Sequence, residues 1–308
     1  MRRLIAVTAV AILLLTGCVG PSGGSGKVSV TGGVGAVPVL DFAHPLNVRR
    51  AETRDVWTGD GAVLGDGASL LINYVAEDAK NGDLVGETYS TGPLPMSLSL
   101  DSLGRDLYDA LKGRTVGSRL VHLAPAVSSE DSALVIVIDL LPTRALGDAV
   151  AARPGLPLVT LAADGKPTIT VPKSAPPTDL VVQPLIKGSG QQVAAGQTVV
   201  VQYTGVNWTD GKLVDTTWAA GKGPFTTEIG IGKVIKGWDE GLVEQTVGSQ
   251  VLLVIPPGLA YGDQTLVFVV DILATAGKPV QGPTGAATPK ASATPSATPT
   301  ATSTDATG

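Results

Sequence analysis

Few residues in this chain are of the types that do covalent or metal chemistry. His44 and His122 are its only histidines, and Cys18 is its only cysteine. No Cys or Cys/His metal site can be assembled, and no internal disulfide can form. A Ser-His-Asp triad within residues 178–275 is impossible, because that span has no histidine. No GxxxxGK[ST] loop or dinucleotide fingerprint follows a strand-like run. Asp239, Glu240 and Glu244 lie close together, where a carboxylate pair is conceivable, but charges so placed usually form a solvated face. Asn207-Trp208-Thr209 fits the N-glycosylation pattern, a three-residue match of little specificity. The net charge is −5, and no dense Lys/Arg block marks a nucleic-acid footprint. What remains is a concentration of aromatic rings. Tyr203, Trp208, Trp218, Phe225, Trp238, Tyr261 and Phe268 are seven of the twelve in the chain. Their spacing alone is compatible with an ordinary aromatic core.

The elements that must position these rings are legible. Thr198 to Thr204 is a Val-rich run bounded by Gly196 and Gly205, which predicts a strand. Asp210-Gly211 signals a turn between strand-like runs. Ile235, Trp238 and Leu242 fall on one face of a short helix, which stops before Gly248. Val251 to Ile255 and Thr265 to Leu273 are apolar and rich in β-branched residues, as strands are. The expectation is an α+β domain, an antiparallel sheet with one short helix laid on it.

The same pattern occurs earlier. Ile72-Asn73-Tyr74-Val75 echoes Val201-Gln202-Tyr203-Thr204, and Gly82-Asp83-Leu84-Val85 echoes Gly211-Lys212-Leu213-Val214. Thr115-Val116-Gly117-Ser118 matches Thr246-Val247-Gly248-Ser249, and Leu134 to Leu140 echoes Leu266 to Ile272. Four echoes in one order, at a nearly constant offset, indicate two copies of one domain. The expected organisation is a first domain over 28–142, a Pro/Ala-rich extended linker over 143–177 and a second domain over 178–275; the apolar runs Leu158 to Leu161 and Ile169 to Val171 are expected to rest the linker partly on a domain.

Taken together, the motifs of the second copy are specific. Val201-Gln202-Tyr203-Thr204-Gly205, Asp210 to Asp215, Gly223-Pro224-Phe225, Val234 to Leu242, Val247-Gly248, Ala260-Tyr261-Gly262 and Thr265 to Phe268 resemble the FKBP-type peptidyl-prolyl cis-trans isomerase family in order and spacing. The resemblance covers about a quarter of the chain. It implies two FKBP-like domains, each an antiparallel sheet wrapped around one short α-helix, with an apolar pocket between them. The implied pocket residues are Tyr203, Val214, Asp215, Phe225, Val234, Ile235, Trp238, Tyr261 and Phe268. Trp238 would be the floor, and Tyr203, Phe225 and Phe268 the walls. The Ile235 amide and the Tyr261 hydroxyl would bond substrate carbonyls. Asp215 would be hydrogen-bonded to Tyr203 or to a ligand hydroxyl. No cofactor and no metal is implied, and the partners would be proline-containing unfolded or exported polypeptides.

Two departures from the family pattern stand out. Tyr261-Gly262-Asp263-Gln264 runs almost directly into Thr265, where the family usually has a distinctly longer loop. That loss opens the pocket and bears on substrate affinity and macrolide binding. The first copy has also lost the signature. Gly86 stands for Asp215, Met96 for Phe225, Leu107 for Trp238 and Ile136 for Phe268, and Tyr261 has no counterpart. It is expected to bind polypeptide or to act as a spacer. The alternative for the whole chain is a non-catalytic chaperone or scaffold built on two such folds.

The two ends carry different information. Arg2, Arg3 and the apolar run Leu4 to Leu15 read as an export signal over residues 1–17, too short to span a membrane comfortably. Leu15-Thr16-Gly17-Cys18 resembles the bacterial lipobox, which implies lipidation of Cys18 and a Gly/Ser-rich tether over 18–27. The chain is thus expected on the extracytoplasmic face of a bacterial membrane, held there by its lipid anchor. Residues 276–308, rich in Ala, Thr and Pro, are expected to be a disordered tail.

Overall fold

A computed structural model describes residues 27–219 and 222–279. The proposed signal, Cys18 and most of the Ala/Thr/Pro tail lie outside the described residues. The first half holds β1 (Ser29–Thr31), β2 (Val39–Asp41), β3 (Glu52–Trp57), β4 (Ser69–Asp78), β5 (Leu84–Glu87), β6 (Leu94–Ser97), α1 (Leu100–Leu111), β7 (Arg119–Ala124) and β8 (Leu134–Leu140). The second half holds β9 (Asp148–Ala149), β10 (Leu158–Leu161), β11 (Pro167–Thr170), β12 (Val181–Lys187), β13 (Thr198–Asn207), β14 (Leu213–Thr216), β15 (Phe225–Glu228), α2 (Lys236–Leu242), β16 (Gln250–Ile255) and β17 (Leu266–Ala276).

The two main sheets are antiparallel and share one topology. The first runs β3-β7-β8-β4-β5, with β6 pairing the other end of β4. The second runs β12-β16-β17-β13-β14, with β15 pairing β13 and β9 extending the sheet beyond β12. Side chains along a strand point alternately to opposite faces, so each sheet has two apolar faces with different partners. In the second, Val251, Leu253, Ile255, Phe268 and Val270 face α2, while Leu252, Val254, Val267 and Val269 face away from it. The first repeats this, with Leu120 and Ile138 toward α1 and Val121, Leu123, Val135 and Val137 on the reverse.

Residues 143–177 rest on the second sheet, as their apolar runs lead one to expect, but they are not a plain extended linker. That stretch contains β9 and the β10–β11 hairpin. Val159 and Ile169 of the hairpin pack on the reverse face of the second sheet. The first sheet carries the equivalent cover, with Val30 and Leu40 of the β1–β2 hairpin packed on its reverse face. Val30 opposes Leu40, and Val159 opposes Ile169, in the two hairpins. Val30 stands as far from Val159, and Leu40 as far from Ile169, as Ile72 stands from Val201. The duplicated unit therefore includes its hairpin. Only Val30-Thr31 and Pro38 recur in it, as Val159-Thr160 and Pro167.

Different chemistry at matching places ties the β1–β2 loop to the first sheet and the connecting segment to the second. In the first unit, buried Arg119 grips Asp139 through two bonds of 2.6 and 2.7 Å and donates to Gly32 O and Ala36 O of the β1–β2 loop. Gln250 takes the place of Arg119 in the second unit. Asp271, the counterpart of Asp139, accepts from Gln250 Nε2 at 2.7 Å and from the Ala145 amide at 2.8 Å. Burial pushes the Asp271 carboxyl up to about 6, against those two bonds, which favour the charged form. The folded state therefore holds a proton that the unfolded chain releases near pH 4. This group's contribution to stability is greatest in acid and is lost as pH rises from about 4 to about 6. The difference is on the order of 3 kcal/mol. Asn at 271 keeps an acceptor for Ala145 and can pair with a rotated Gln250 amide. Urea unfolding should show Asp271→Asn gaining stability over the wild type at pH 7, with the gain vanishing at pH 4. A pH-independent difference would refute this reading of Asp271.

Candidate functional site: an aromatic pocket between helix and sheet

The floor of the site depends on how closely α2 approaches the sheet. Trp238 lies between Gly237 and Gly241, both of which face strand side chains. A Cβ on Gly241 would sit 2.7 Å from Leu253 Cδ2, and one on Gly237 would collide with Ile255. Only hydrogen at both positions lets this short helix settle and press the Trp238 indole into the core, where it is buried. Tyr203 meets Trp238 edge-on at 5.1 Å between ring centroids, and Phe268 meets it at 5.4 Å and 90°. Tyr203 also lies 6.0 Å from Phe268 and 6.1 Å from Phe225. Edge-to-face pairs of this kind are worth about 0.5–1.5 kcal/mol each beyond the area they bury. Gly205, on β13 two positions from Tyr203, leaves the space that the Phe268 ring occupies; a Cβ there would lie 2.9 Å from Phe268 Cζ.

One polar group faces these rings. Asp215 lies opposite Gly205 in the β13–β14 register. The Tyr203 hydroxyl donates to its carboxylate, and Lys222 Nζ approaches at 2.9 Å. The Tyr203 bond, aided by Lys222, holds the Asp215 carboxyl below the usual aspartate range. Burial, with the bond to Asp215, pushes the Tyr203 phenol above its ordinary value. At neutral pH the pair is thus a carboxylate and a neutral phenol, with the phenol proton directed at Asp215.

The loop before α2 is fixed by Asp239. Its carboxylate accepts from the amides of Gly230 at 2.6 Å and Gly232 at 2.7 Å. This holds the chain between buried Ile229 and Ile235, where Val234 and Ile235 pack against the core around Trp238. Ile235 precedes the helix in extended conformation, and its carbonyl accepts from the Trp238 amide at 2.9 Å. Beyond β16, a single 3-10 turn over Pro257–Leu259 leads to Tyr261, which is 72% exposed at the rim. The chain re-enters the sheet at Leu266, so the connection here is short.

Seven of the nine residues expected in the pocket thus converge: Tyr203, Asp215, Phe225, Val234, Ile235, Trp238 and Phe268. Val214 does not join the apolar cluster; it is the extra residue of a bulge in β14 and is half-exposed. Tyr261 stands at the edge rather than in the wall. Two contributors escape sequence reasoning. Asp239 reads as a solvated-face charge, yet it clasps two glycine amides. Lys222 carries no signal, because only the folded loop brings it to Asp215.

In the first unit the same corner is filled. Tyr74, Met96, Leu107 and Ile136 pack in one apolar cluster. Gly86 opposes Ala76 as Asp215 opposes Gly205, so no carboxylate faces the Tyr74 hydroxyl. One correspondence read from the sequence is corrected by register. Leu94 opposes Ile72 as Phe225 opposes Val201. Leu94, not Met96, therefore holds the place of Phe225, because this connection differs in length between the two copies.

Comparison with known proteins agrees with this geometry. The FKBP-type peptidyl-prolyl cis-trans isomerase family matches residues 189–280. An FK506-binding protein of Streptomyces anulatus is 39% identical over 120 residues, spanning 35% of this chain and 96% of that protein. The chain belongs to the FKBP-type peptidyl-prolyl cis-trans isomerase family. A probable FK506-binding protein of Corynebacterium glutamicum is 35% identical over 118 residues, 35% of this chain and 98% of its own length. FK506-binding protein 1 of Aspergillus oryzae is 37% identical over 106 residues, 29% of this chain and 91% of its own length.

The Asp239 clasp can be tested directly. Removing a carboxylate that accepts two amide bonds should cost about 2–3 kcal/mol. Asp239→Ala should lower the urea unfolding free energy by that amount, whereas Glu240→Ala on the exposed side should change it by less than about 0.5 kcal/mol. Equal effects would return Asp239 to the solvated face.

Proposed function

We propose that the second unit of this FKBP-type chain catalyses cis-trans isomerisation of X-Pro bonds, with the pocket over Trp238 holding the proline ring. The observation that carries this is the box of Tyr203, Phe225, Trp238 and Phe268, with one ionised carboxylate tied to its wall. The X-Pro barrier, about 18–20 kcal/mol for amide rotation in general, arises from amide resonance. A site lowers it by binding the twisted amide better than the planar one. The twisted form has less charge separation, so it tolerates an apolar, water-poor site better. Each ~1.4 kcal/mol of that preference is worth about tenfold in rate. Such chemistry needs no nucleophile, and none is present among the rings. The Ile235 amide and the Tyr261 hydroxyl are the groups assigned to the substrate carbonyls, with Val214 on the outer rim.

Asp215, bound by Tyr203 and Lys222, keeps the Tyr203 ring upright against Trp238. Because the rim beside Tyr261 is low, we assign weaker binding to macrolides such as the FK506 for which the relatives are named. The clients are proline-containing unfolded or exported polypeptides. We place the chain at the outer face of a bacterial membrane, held by a lipid on Cys18. No helix among the described residues is long and apolar enough to cross a membrane. The first unit, with its corner filled, serves binding or spacing and does not isomerise.

A cis/trans assay with an X-Pro tetrapeptide on the full chain tests both assignments. Replacing Trp238 by Leu and Asp215 by Gly gives the second pocket the first unit's residues at its floor and at its one polar group. The wild type should exceed the uncatalysed rate, Trp238→Leu alone should fall roughly tenfold or more, and the double variant should match buffer. A wild type at the buffer rate would refute the enzyme assignment. Wild-type activity persisting in the double variant would refute the assignment of turnover to the Trp238 pocket.

A further inference from the structure

A cavity of about 610 Å³ opens away from the aromatic pocket, between the two units. Its walls include Val63 and Leu64 of the first unit, Arg144 and Asp164 of the connecting segment, and Gln202 and Trp218 of the second unit. The volume is within the range of sites that enclose small ligands or short segments of chain. Gln202 lies on β13 next to Tyr203, so the two side chains point to opposite faces of one strand. The cavity and the proline pocket are therefore back to back.

Two polar atoms in its wall are buried without a partner, the Gln202 carbonyl oxygen and the Trp218 indole N–H. Gln202 is only 2% exposed. Buried polar groups of this kind almost always have partners. The duplicated fold supplies a control, because Asn73 and Tyr89 stand in the first unit where Gln202 and Trp218 stand in the second. Asn73 Oδ1 accepts from Thr88 Oγ1 at 3.0 Å, and Tyr89 donates to Asp139 at 2.6 Å. Those counterparts are satisfied inside their own unit, whereas the Gln202 carbonyl oxygen and the Trp218 indole N–H, on residues that line the cavity, have no partner.

An acceptor and a donor on one wall match the N–H and C=O that a peptide backbone presents. Arg144 and Lys222 are offset in the lining by Asp60 and Asp164, so the site favours no net charge. Val63, Leu64 and Leu146 add apolar surface. We propose that this cavity is a second polypeptide-binding site, which takes an extended, uncharged segment of the client chain whose prolyl bond is turned over above Trp238. The proposal rests on the client being a polypeptide. Lys222 joins the two sites, since its ammonium bonds Asp215 while its carbonyl accepts from Ser69 Oγ of the first unit at 3.4 Å.

The test uses the full chain and a fluorescent, permanently unfolded polypeptide that contains no proline. Ala62→Trp fills the cavity from an exposed lining position. Gln202→Leu with Trp218→Phe removes the acceptor and the donor while preserving shape. Wild type should bind, and each variant should weaken Kd by roughly tenfold, the value of one to two lost hydrogen bonds. The turnover rate of an X-Pro tetrapeptide, too short to reach both sites, should be unchanged in both variants. Unaltered Kd in both variants, or no binding by the wild type, would overturn the cavity site. Loss of probe binding in Trp238→Leu with none in Ala62→Trp would assign binding to the proline pocket instead. Failure of the isomerase assignment would appear separately, as tetrapeptide turnover at the buffer rate in the wild type.

Discussion

The long antiparallel pairing of β13 with β17 organises the second unit. It runs from Thr198 opposite Ala276 to Asn207 opposite Leu266. Because successive side chains alternate across a sheet, this one ladder supplies two surfaces. Tyr203 and Phe268 rise on the side of α2 and build the pocket walls. Gln202 and Asp271, each adjacent along its strand to a residue facing the helix, point to the reverse. A slip of one position would exchange the two sets and place an amide and a carboxyl under the indole. Burial on both faces prevents that slip, because α2 covers one and the β10–β11 hairpin the other.

The duplication shows what the fold requires and what the pocket adds. Both units keep the strand order, the helix and the reverse-side hairpin. At the pocket they differ by Gly86 for Asp215, Leu94 for Phe225, Leu107 for Trp238 and Ile136 for Phe268. Replacing rings by aliphatic chains lets the corner collapse on itself, which preserves a packed core at the expense of an open cleft. The reverse faces diverge as well. An Arg119–Asp139 ion pair anchors one hairpin, while the strongly buried Asp271 anchors the other segment through the Ala145 amide. Burying a carboxyl without a bonded cation is costly unless it is protonated or well hydrogen-bonded. The second unit therefore carries this titrating group on the face away from the aromatic pocket.

Periodicity, glycine placement and the nearly constant offset between echoes were enough to determine the α+β class and the duplication, while the ring set Tyr203, Phe225, Trp238 and Phe268 was singled out by the motif resemblance. These are local properties, since alternation and helical spacing are written directly in the order of residues. Other features were settled only when distant segments met. The apolar runs within residues 143–177 predicted that the segment rests on a domain, but the hairpin that carries Val159 and Ile169, and the sheet face they cover, came only with the fold. Asp239 proved to be a clasp because Gly230 and Gly232 turn their amides toward it. Lys222 reached Asp215, and Val214 was displaced into a bulge, through the path of one loop and one register shift. The cavity beside Gln202 exists only because two folded units stand against each other. Sequence determined which side chains were available, while partner, burial and charge state depend on contacts between segments far apart in the chain, which only the folded structure decides.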